Sequence, residues 1–441
     1  MKYVIVGNSY AGLSCADAIR RFDKTGEVLI ISDENYRAYA RPLISYYLEG
    51  KTTEDTIWYK EEDYYEKNNF DLMLGKKVVS VDTASKRVLL EDGSAVNYDK
   101  LFLGPGGTPF IPPTEGFNPN SPMMGTFTRF DDAKKMEKAA KLSKRKEAIV
   151  VGGGLIGLKA SEGLRALGLH TTIVELLLRV LGLALDEVSG NITSKKLNEN
   201  GIDTATGETV TKINLDESGN PVSVLLKSGK ELPADIVVVG VGVRPNVGFL
   251  EGSGIKIDRG IIVDKTMMTS VKDVYAGGDA AVIYDVINKR PNIIAIVPLA
   301  CEEGRVAGTN MAGVYREYPG GIGLNSVEIY GLPIVTIGLT NPANETQNVF
   351  IFQEGNIYRK LVYDGEVLVG AILLGDISGS GILSAIIRQG LKCLKYKDEF
   401  LNGNIYSFVI DNEFEIYNIN EGYAIRGDFE DLPEFSRTNW R

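Results

Sequence analysis

The sequence predicts an α/β protein in which two domains built on parallel β-sheets are followed by a smaller α+β domain. The first observation behind this fold class is a repeat: a short apolar run, a glycine-rich turn and a helical pattern occur twice, about 145 residues apart. The two turns lie at residues 7–12 and 152–157. A strand, helix and strand in this order join parallel strands and lay a helix across the sheet. The second observation is the change to strand-like runs and one helical run after about residue 320, which predicts the third domain.

The individual elements follow from apolar spacing and from the residues that bound each run. Apolar runs next to a glycine turn predict buried parallel strands, and apolar positions three and four residues apart predict the helices. Strand-like runs separated by turn residues predict hairpins. In chain order we expect strands at 3–6 and 28–31 around a helix at 13–21, a hairpin of 77–82 with 87–93, strands at 148–151 and 172–174 around a helix at 158–167, a hairpin of 209–213 with 222–229, strands at 358–363 and 366–374, and a helix at 381–394.

Composition excludes several classes of protein. The chain has 441 residues, 3 cysteines and a single histidine, His170, and it carries a formal net charge of −10. The negative charge argues against nucleic acid as a partner, and so few cysteines and histidines exclude a disulfide scaffold or a multi-histidine metal site. The uncharged stretch 329–344 contains glycine and proline, so we expect no membrane helix. The N-terminus lacks a signal-peptide pattern, and we therefore expect a cytoplasmic protein with reduced thiols.

The first glycine turn has the pattern of a dinucleotide phosphate site. Its first glycine permits a tight turn, its last lets the helix pack on the strand, and the helix N-terminus offers free N–H groups to a pyrophosphate. A carboxylate at the end of the second strand accepts hydrogen bonds from ribose hydroxyls, and of Asp33 and Glu34 we favour Asp33. The alternative is an ordinary tight turn between strand and helix. The residues predicted to bind are Gly7, Ser9, Tyr10, Ala11, Gly12, Asp33 and Glu34.

The second glycine turn is a full G-x-G-x-x-G motif after a strand and before a helix. Glu175 ends the next strand, and a carboxylate there binds an unmodified 2′-hydroxyl and repels a 2′-phosphate. The next three residues are leucines, and Arg179 is the one nearby cation. The second site is therefore predicted to take NADH rather than NADPH. Its predicted residues are Gly152, Gly154, Leu155, Ile156, Gly157 and Glu175.

Four further segments are similar to those of the pyridine-nucleotide-dependent FAD oxidoreductases. They are residues 269–280, which end in Ala276-Gly277-Gly278-Asp279-Ala280, and residues 239–246, 297–305 and 127–133. The resemblance covers residues 1 to about 320 and implies two Rossmann-like domains. FAD would occupy the domain formed by residues 1–112 and 244–320, and NAD the inserted domain 113–243. Residues 321–441 would form an interface-type α+β domain with an acidic tail.

The same resemblance assigns further cofactor residues, with Asp279 on the ribitol chain of FAD. The additional FAD contacts that it implies are Arg41, Pro42, Val79, Gly106, Arg129, Gly278, Asp279, Pro298 and Ala300, and the additional NAD contact is Gly242. The segment 39–48 is similar to that of NADH:rubredoxin reductases and of the FAD portion of NADH-dependent nitrite reductases. Thiol-using members carry a cysteine in this region, whereas residues 35–50 contain none. The chain departs from the family pattern at Pro105, Tyr46 and Val297.

Cysteine usage then limits the electron acceptor. Cys15, Cys301 and Cys393 have no redox-pair spacing, so we expect three small buried residues and no disulfide chemistry; His170 is expected to be structural. The predicted reaction passes hydride from NADH to FAD and electrons to a small carrier such as rubredoxin. The alternatives left open are an oxidase or diaphorase and a flavin-bearing sensor or assembly subunit. The oligomeric state is also left open between a homodimer and a subunit of a larger complex. For the apolar stretch 176–185 two interpretations remain, a buried helix or a contact with another chain.

Overall fold

The computed structural model describes residues 1–405 and Phe408. The acidic and aromatic tail from residue 411 onward lies outside the described residues. The chain divides into two compact units, one formed by Met1–Gly323 and Val327–Leu332 and the other by Leu324–Ser326 and the residues from Pro333 on. In the described part of the chain, every helix is too short or too polar to cross a bilayer.

The N-terminal part begins with a strand, a turn and a helix, as the sequence predicts. The helix α1 buries Leu13, Ala16 and Ile19 on one face, and that face packs on the sheet. The strands are β1 (Lys2–Val6), β2 (Glu27–Ile31), β3 (Phe70–Met73), β4 (Val78–Asp82), β5 (Arg87–Leu90), β6 (Ala95–Asn97), β7 (Lys100–Leu103), β8 (Gly107–Pro109) and β9 (Met124–Thr126). The helices are α1 (Tyr10–Phe22), α2 (Ile44–Leu48), α3 (Tyr64–Lys67) and α4 (Phe130–Leu142), with a 3-10 turn at Arg41–Leu43.

The second glycine turn opens a second sheet. Its strands are β10 (Glu147–Val151), β11 (His170–Glu175), β12 (Ile202–Thr206), β13 (Val210–Leu215), β14 (Pro221–Leu226), β15 (Glu231–Pro233) and β16 (Ile236–Val239). The helices are α5 (Leu155–Ala166) and α6 (Glu187–Glu199). The strands pair in parallel in the order β12-β11-β10-β16-β9. Strands β4–β6 and β13–β15 form antiparallel ribbons, which confirms both predicted hairpins.

The chain then returns to the first sheet. The elements of this return are β17 (Val243–Pro245), a 3-10 turn at Gly248–Leu250, β18 (Ile257–Asp258), β19 (Gly260–Ile262), β20 (Val274–Ala276), β21 (Ala281–Asp285), β22 (Arg290–Asn292) and α7 (Val297–Met311). Strand β20 pairs with β7 and completes a parallel sheet of order β20-β7-β1-β2-β3. Strands β8 and β17 pair antiparallel, and the boundaries predicted at residues 112 and 243 fall beside this ribbon.

The third region is an antiparallel sheet of order β23-β24-β27-β26-β25 with short helices. Its elements are β23 (Leu324–Ile329), β24 (Leu332–Gly338), β25 (Gln347–Glu354), β26 (Ile357–Asp364), β27 (Val367–Leu374), α8 (Ser380–Gln389), a 3-10 turn at Leu394–Tyr396 and α9 (Lys397–Leu401). The predicted strands at 358–363 and 366–374 are confirmed as the hairpin β26–β27. The predicted helix at 381–394 is too long, because Gly390 adopts a left-handed φ of +64° and ends α8.

Candidate functional site

The two glycine turns share one backbone geometry. Gly7 and Gly152 have φ angles of +117° and +108°, which favour glycine. A Cβ on Gly12 would lie 1.9 Å from the Gly7 carbonyl oxygen, and a Cβ on Gly157 would lie equally close, 1.9 Å, to that of Gly152. Neither α1 nor α5 has a side-chain cap at its N-terminus. Both helices therefore leave N–H groups available to an anion such as a pyrophosphate.

A cavity of about 770 Å³ lies at the first turn. Its wall includes residues that directly follow β1, β2, β7 and β20, the carboxyl edge where open parallel sheets bind ligands. Its volume falls within the range of ordinary ligand sites. Of the predicted residues, the wall contains Gly7, Ser9, Tyr10, Ala11, Asp33, Glu34, Arg41, Pro42, Val79, Gly106, Arg129, Gly278, Asp279 and Ala300, with Ile156 from the second turn.

Other predicted residues lie outside this wall. Gly12 packs against the backbone of its own turn, and Pro298 does not face the cavity. The second-site residues outside the wall are Gly152, Gly154, Leu155, Gly157, Glu175 and Gly242. Sequence reasoning did not assign several other wall residues, which come from loops, a 3-10 turn and the first residue of α7: Lys76, Lys77, Asn246, Phe249, Ala295 and Val297. A signal existed for Asn246, which follows the Arg-Pro pair of a family-like segment and donates its N–H to the Gly106 carbonyl oxygen at 2.9 Å.

Each acidic residue at the end of β2 contacts an arginine. The Arg129 Nη2 lies 2.9 Å from the Asp33 Oδ2. Glu34 is 8% exposed, forms an ion pair with Arg41 and accepts a 2.6 Å hydrogen bond from the Tyr39 hydroxyl. Burial raises the pKa of that hydroxyl well above its usual range. Glu34 is therefore fixed in place, whereas Asp33 is held by one long side chain at the surface.

The turn formed by Gly277, Gly278 and Asp279, called the flavin turn below, closes the cavity on the α7 side. Gly278 has a φ of +75°, which a glycine adopts without strain. Burial raises the pKa of Asp279, and the nearby Arg41 opposes this shift. The cavity fits FAD because its wall joins the N-terminal turn of α1 to acidic side chains at the end of β2 and in the flavin turn. A Cβ on Gly7 would lie 2.1 Å from the Gly104 carbonyl oxygen, so only a glycine lets the ends of β1 and β7 approach this closely at the cavity wall. The N-terminus of α1 suits the pyrophosphate, and the acidic residues suit the ribose and ribitol hydroxyls.

The second turn is completed by the Glu175 carboxylate at the end of β11. Its Oε2 accepts the Gly153 N–H, and its Oε1 accepts the Leu177 N–H at 2.7 Å. Arg179 does not face this carboxylate, because its Nε donates to the Leu185 carbonyl oxygen at 3.0 Å. Its side-chain stem also lies against Gly190, 2.9 Å from where a Cβ would stand. The arrangement therefore offers an acceptor for a ribose hydroxyl and no Arg179 guanidinium for a 2′-phosphate.

The leucine-rich stretch 176–185 is a loop, so its interpretation as a buried helix is wrong. Leu178 and Leu183 are 82% and 89% exposed, whereas Val180 and Leu185 are buried. The backbone groups of Leu177 form no helical hydrogen bonds. Its N–H donates to the Glu175 carboxylate, and its carbonyl oxygen accepts the Gly207 N–H at 2.9 Å. These bonds replace those that a helix would form within itself. A contact with another chain stays a prediction for this loop.

The cysteines and the histidine lie away from the cavity wall. Cys15 and Cys393 are buried, as expected, but Cys301 on α7 is only half-buried and contacts the Tyr59 hydroxyl. The wall residues of the cavity include no cysteine. His170 bridges two carboxylates at the start of β11, as its predicted structural role requires.

Two phosphate turns on parallel sheets, with a flavin turn beside the first, define a flavoprotein oxidoreductase with two dinucleotide-binding domains. The chain belongs to the pyridine nucleotide-disulphide oxidoreductase family, whose model matches residues 1–304. A second model, the rubredoxin NAD+ reductase C-terminal domain, matches residues 324–391. The predicted resemblance and fold class are thus confirmed. The protein is an NAD(P)H-dependent oxidoreductase, and its cofactors are FAD and a pyridine nucleotide.

Individual relatives add detail about the family. The chain is 30% identical over 406 residues to the NADH-dependent phenylglyoxylate dehydrogenase subunit epsilon of Aromatoleum evansii, covering 91% of this chain and 94% of that protein. It is 31% identical over 390 residues to nitrite reductase [NAD(P)H] of Bacillus subtilis (strain 168), covering 88% of this chain. The match spans about half, 47%, of that reductase. The crystal structure of NADH:rubredoxin oxidoreductase from Clostridium acetobutylicum superposes with a TM-score of 0.74 at 26% identity, covering 91% of this chain and 99% of that one.

Proposed function

We propose that the protein transfers hydride from NADH to FAD and passes the electrons to a small carrier protein of the rubredoxin type, in the cytoplasm. The observation that carries this proposal is a cavity whose wall contains the flavin turn and no thiol. The C-terminal match to a rubredoxin NAD+ reductase domain supports the same acceptor class. A solved relative named for rubredoxin reduction gives further support.

The chain would bind and orient the two dinucleotides, and the reaction belongs to the cofactors. Bound FAD supplies the ability to take a hydride from a reduced nicotinamide and to release electrons singly or in pairs. Arg41 and Asp279 lie in the cavity wall, where they would hold the flavin cofactor. Ile156 of the second turn lies in the wall of the same cavity, which supports nicotinamide binding beside the flavin site.

Glu175 supports NADH as the reductant. Both oxygens of its carboxylate are fixed by backbone N–H groups, so the acceptor for the ribose hydroxyl is already in place. The nearest cation in sequence, Arg179, is bonded to its own loop. A 2′-phosphate would therefore meet a fixed negative charge without a compensating positive one.

The positions of the thiols support an acceptor outside the chain. Cys15 is fully buried in α1, its Sγ lies 3.6 Å from the Met311 sulfur, and burial raises its pKa well above the usual range. A thiol needs its ionised form to attack a disulfide, so Cys15 is unreactive. Cys393 is also buried, and burial raises its pKa. Cys301 is half-buried, contacts the Tyr59 hydroxyl and has no second cysteine bonded to it. Electrons would therefore leave the flavin site without a protein disulfide as intermediate carrier.

An anaerobic titration with NADH followed by stopped-flow reoxidation tests this function. We expect NADH to reduce the bound flavin and bleach its absorbance. Rubredoxin-type carriers should then reoxidise the reduced flavin much faster than oxygen or disulfides do. If oxygen were the only acceptor that reoxidised the flavin rapidly, the protein would be an oxidase and not a reductase of a carrier protein. A protein that binds no flavin, or flavin that NADH does not reduce, would refute the proposal.

A second candidate is a subunit of a larger dehydrogenase complex. A relative named as subunit epsilon of an NADH-dependent dehydrogenase matches 91% of this chain and 94% of its own length. In this role the same two sites would pass electrons between NADH and a partner subunit. Light scattering on the complex isolated from its own cells separates this role from a monomer or a homodimer. Co-purification of stoichiometric subunits would support the complex, and a chain found alone or as a dimer would refute it.

A further inference from the structure

A second carboxyl group supports the flavin turn from outside the cavity. Glu303 lies on α7 and is 2% exposed. Its Oε2 accepts a 2.7 Å hydrogen bond from the Gly278 N–H. Its Cβ lies 3.2 Å from where a Cβ on Gly277 would stand. Glu303 is absent from the cavity wall, so it packs behind the turn rather than toward the cofactor.

The packing around Glu303 excludes water. Helix α7 lies directly on α1: a Cβ on Gly304 would be 2.1 Å from the Ala11 carbonyl oxygen. The Phe102 ring of β7 lies 3.2 Å from the same Gly277 position that Glu303 contacts. An ionised carboxylate in such a place loses its hydration, and without a cation this costs several kcal/mol.

The charged and titratable groups near Glu303 give it little compensation. They are Asp279 from the flavin turn and Glu302 from α7, together with Arg41, which acts on Asp279. Among the described residues, no lysine or arginine contributes to the pKa of Glu303. Burial raises that pKa well above its usual range, and the negative charges of Asp279 and Glu302 raise it further.

Two neighbouring acidic residues with one nearby cation do not both ionise easily. Arg41 favours the charged form of Asp279, which faces the cavity. Glu303 faces the protein interior and accepts a single backbone N–H. The proton therefore belongs on Glu303.

We propose that Glu303 is a positioning residue that supports the flavin turn as a neutral carboxylic acid, so that Asp279 is the anion presented to the cofactor. The proposal rests on FAD occupying the cavity described above. A neutral Glu303 keeps its hydrogen bond to Gly278 without repelling Asp279. Loss of the Glu303 proton would put a second negative charge next to that of Asp279 at the same turn. The repulsion between the two carboxylates would disturb the turn and weaken FAD binding.

Infrared difference spectra of the apoprotein test the protonation directly. At neutral pH the wild type should show the C=O band of a protonated carboxyl group that disappears in Glu303→Gln. Glu302→Gln, one residue away on the same helix, should retain the band. Absence of the band in the wild type, or its loss in Glu302→Gln alone, would overturn the proposal.

Titration of FAD into the apoproteins tests the positioning role. Glu303→Gln keeps a neutral acceptor for Gly278, so its Kd should stay within about twofold of wild type, whereas Glu303→Leu should weaken binding roughly tenfold. Alkaline pH that removes the infrared band should weaken FAD binding by the wild type and not by Glu303→Gln. A tenfold loss in Glu303→Gln would show that a charged Glu303 is needed and overturn the proposal. A wild type that binds no FAD at any pH would instead refute the proposed cofactor site and leave the infrared result standing.

Discussion

The first glycine turn, residues 7–12, and the second, residues 152–157, have the same backbone in different surroundings. Gly7 donates its N–H to the Ile31 carbonyl oxygen and Gly152 donates to that of Val174, both at 2.8 Å. At each turn the last glycine approaches the first so closely that a Cβ would overlap a backbone oxygen. The phosphate-binding part of the two sites is thus equivalent.

The acidic residues beyond the turns differ. At the first site Asp33 and Glu34 are each paired with an arginine in the wall of the cavity. At the second site Glu175 is held by backbone N–H groups, and the leucine loop next to it is open to solvent. A buried, charge-balanced carboxylate such as Glu34 suits a cofactor that stays bound, whereas a fixed acceptor at an open edge suits a ligand that exchanges. One motif therefore serves two kinetic roles, and the surroundings decide which.

The largest expected effect follows from changing the acidic residue of the flavin turn. Asp279→Asn removes a charged acceptor from the first site, and a hydrogen bond to a charged group contributes about 1.5–3 kcal/mol, so FAD affinity should fall roughly 10–100-fold. Flavin content after gel filtration and the Kd of the apoprotein measure it. Glu175→Gln is the matched control at the second site and should retain wild-type flavin. Unchanged flavin binding by Asp279→Asn would show that the first site does not depend on this anion.

The next effect is on the second site. Glu175→Gln should raise the KM for NADH about tenfold and leave FAD bound, because one charged acceptor for the ribose is lost. It should also narrow the preference for NADH over NADPH, since the repulsion of a 2′-phosphate disappears. Glu208→Gln is the control, because Glu208 follows the neighbouring strand β12 and its carboxylate accepts the Ser228 N–H; it should change neither value. Equal KM values in wild type and Glu175→Gln would remove the basis for NADH specificity.

A smaller effect separates the two acidic residues of the first site. Superposing the two turns by their equivalent hydrogen bonds makes Ser32 the counterpart of Glu175 in the second site. Because Ser32 is not acidic, this alignment does not decide whether Asp33 or Glu34 binds the ribose. We expect Glu34→Gln to weaken FAD binding several-fold and Asp33→Asn by about twofold, because the buried Glu34 is already fixed and Asp33 is 37% exposed. The Kd of each variant apoprotein for FAD measures the two effects. A larger loss in Asp33→Asn than in Glu34→Gln would instead support Asp33, which the sequence favours.

The features of the fold and the site that the sequence predicts are those encoded by neighbouring residues. Strand, turn and helix around Gly7 and Gly152 are local patterns, and they were read correctly. The wall residue Phe249 lies in a 3-10 turn that only the fold brings to the first glycine turn, so no local pattern identified it. The end of α8 depended on one left-handed glycine, Gly390. The contacts that hold Glu34 and Glu175 in place come mostly from residues within seven positions, namely Tyr39, Arg41 and Leu177. They were unpredictable because they depend on the path of irregular loops, which no apolar periodicity describes.

The smallest expected effect concerns a feature that the second domain has and the first lacks, the single histidine. The Nδ1 and Nε2 of His170 lie 2.9 Å and 3.1 Å from carboxylate oxygens of Glu147 and Asp203. The hydrogen bond to Glu147, followed by the charges of both acidic residues, raises the pKa of His170. A raised folded-state pKa gives stability that is fully present below the unfolded value of about 6.5 and is lost as pH rises through the folded value.

His170→Gln should therefore lower the midpoint of thermal unfolding at about pH 5.5 and leave it unchanged near pH 9. The ring is 51% exposed, so the loss should be only a few tenths of a kcal/mol. Lys76→Gln, the control, breaks a surface ion pair with Asp92 in the first domain that involves no histidine, and it should change the midpoint equally at both pH values. A histidine pKa at or below 6.5, measured from its single NMR signal, would show that the two carboxylates do not stabilise the charged ring. In that case the pH dependence of the second domain would have to come from its carboxylates, and the two domains would respond to acid alike.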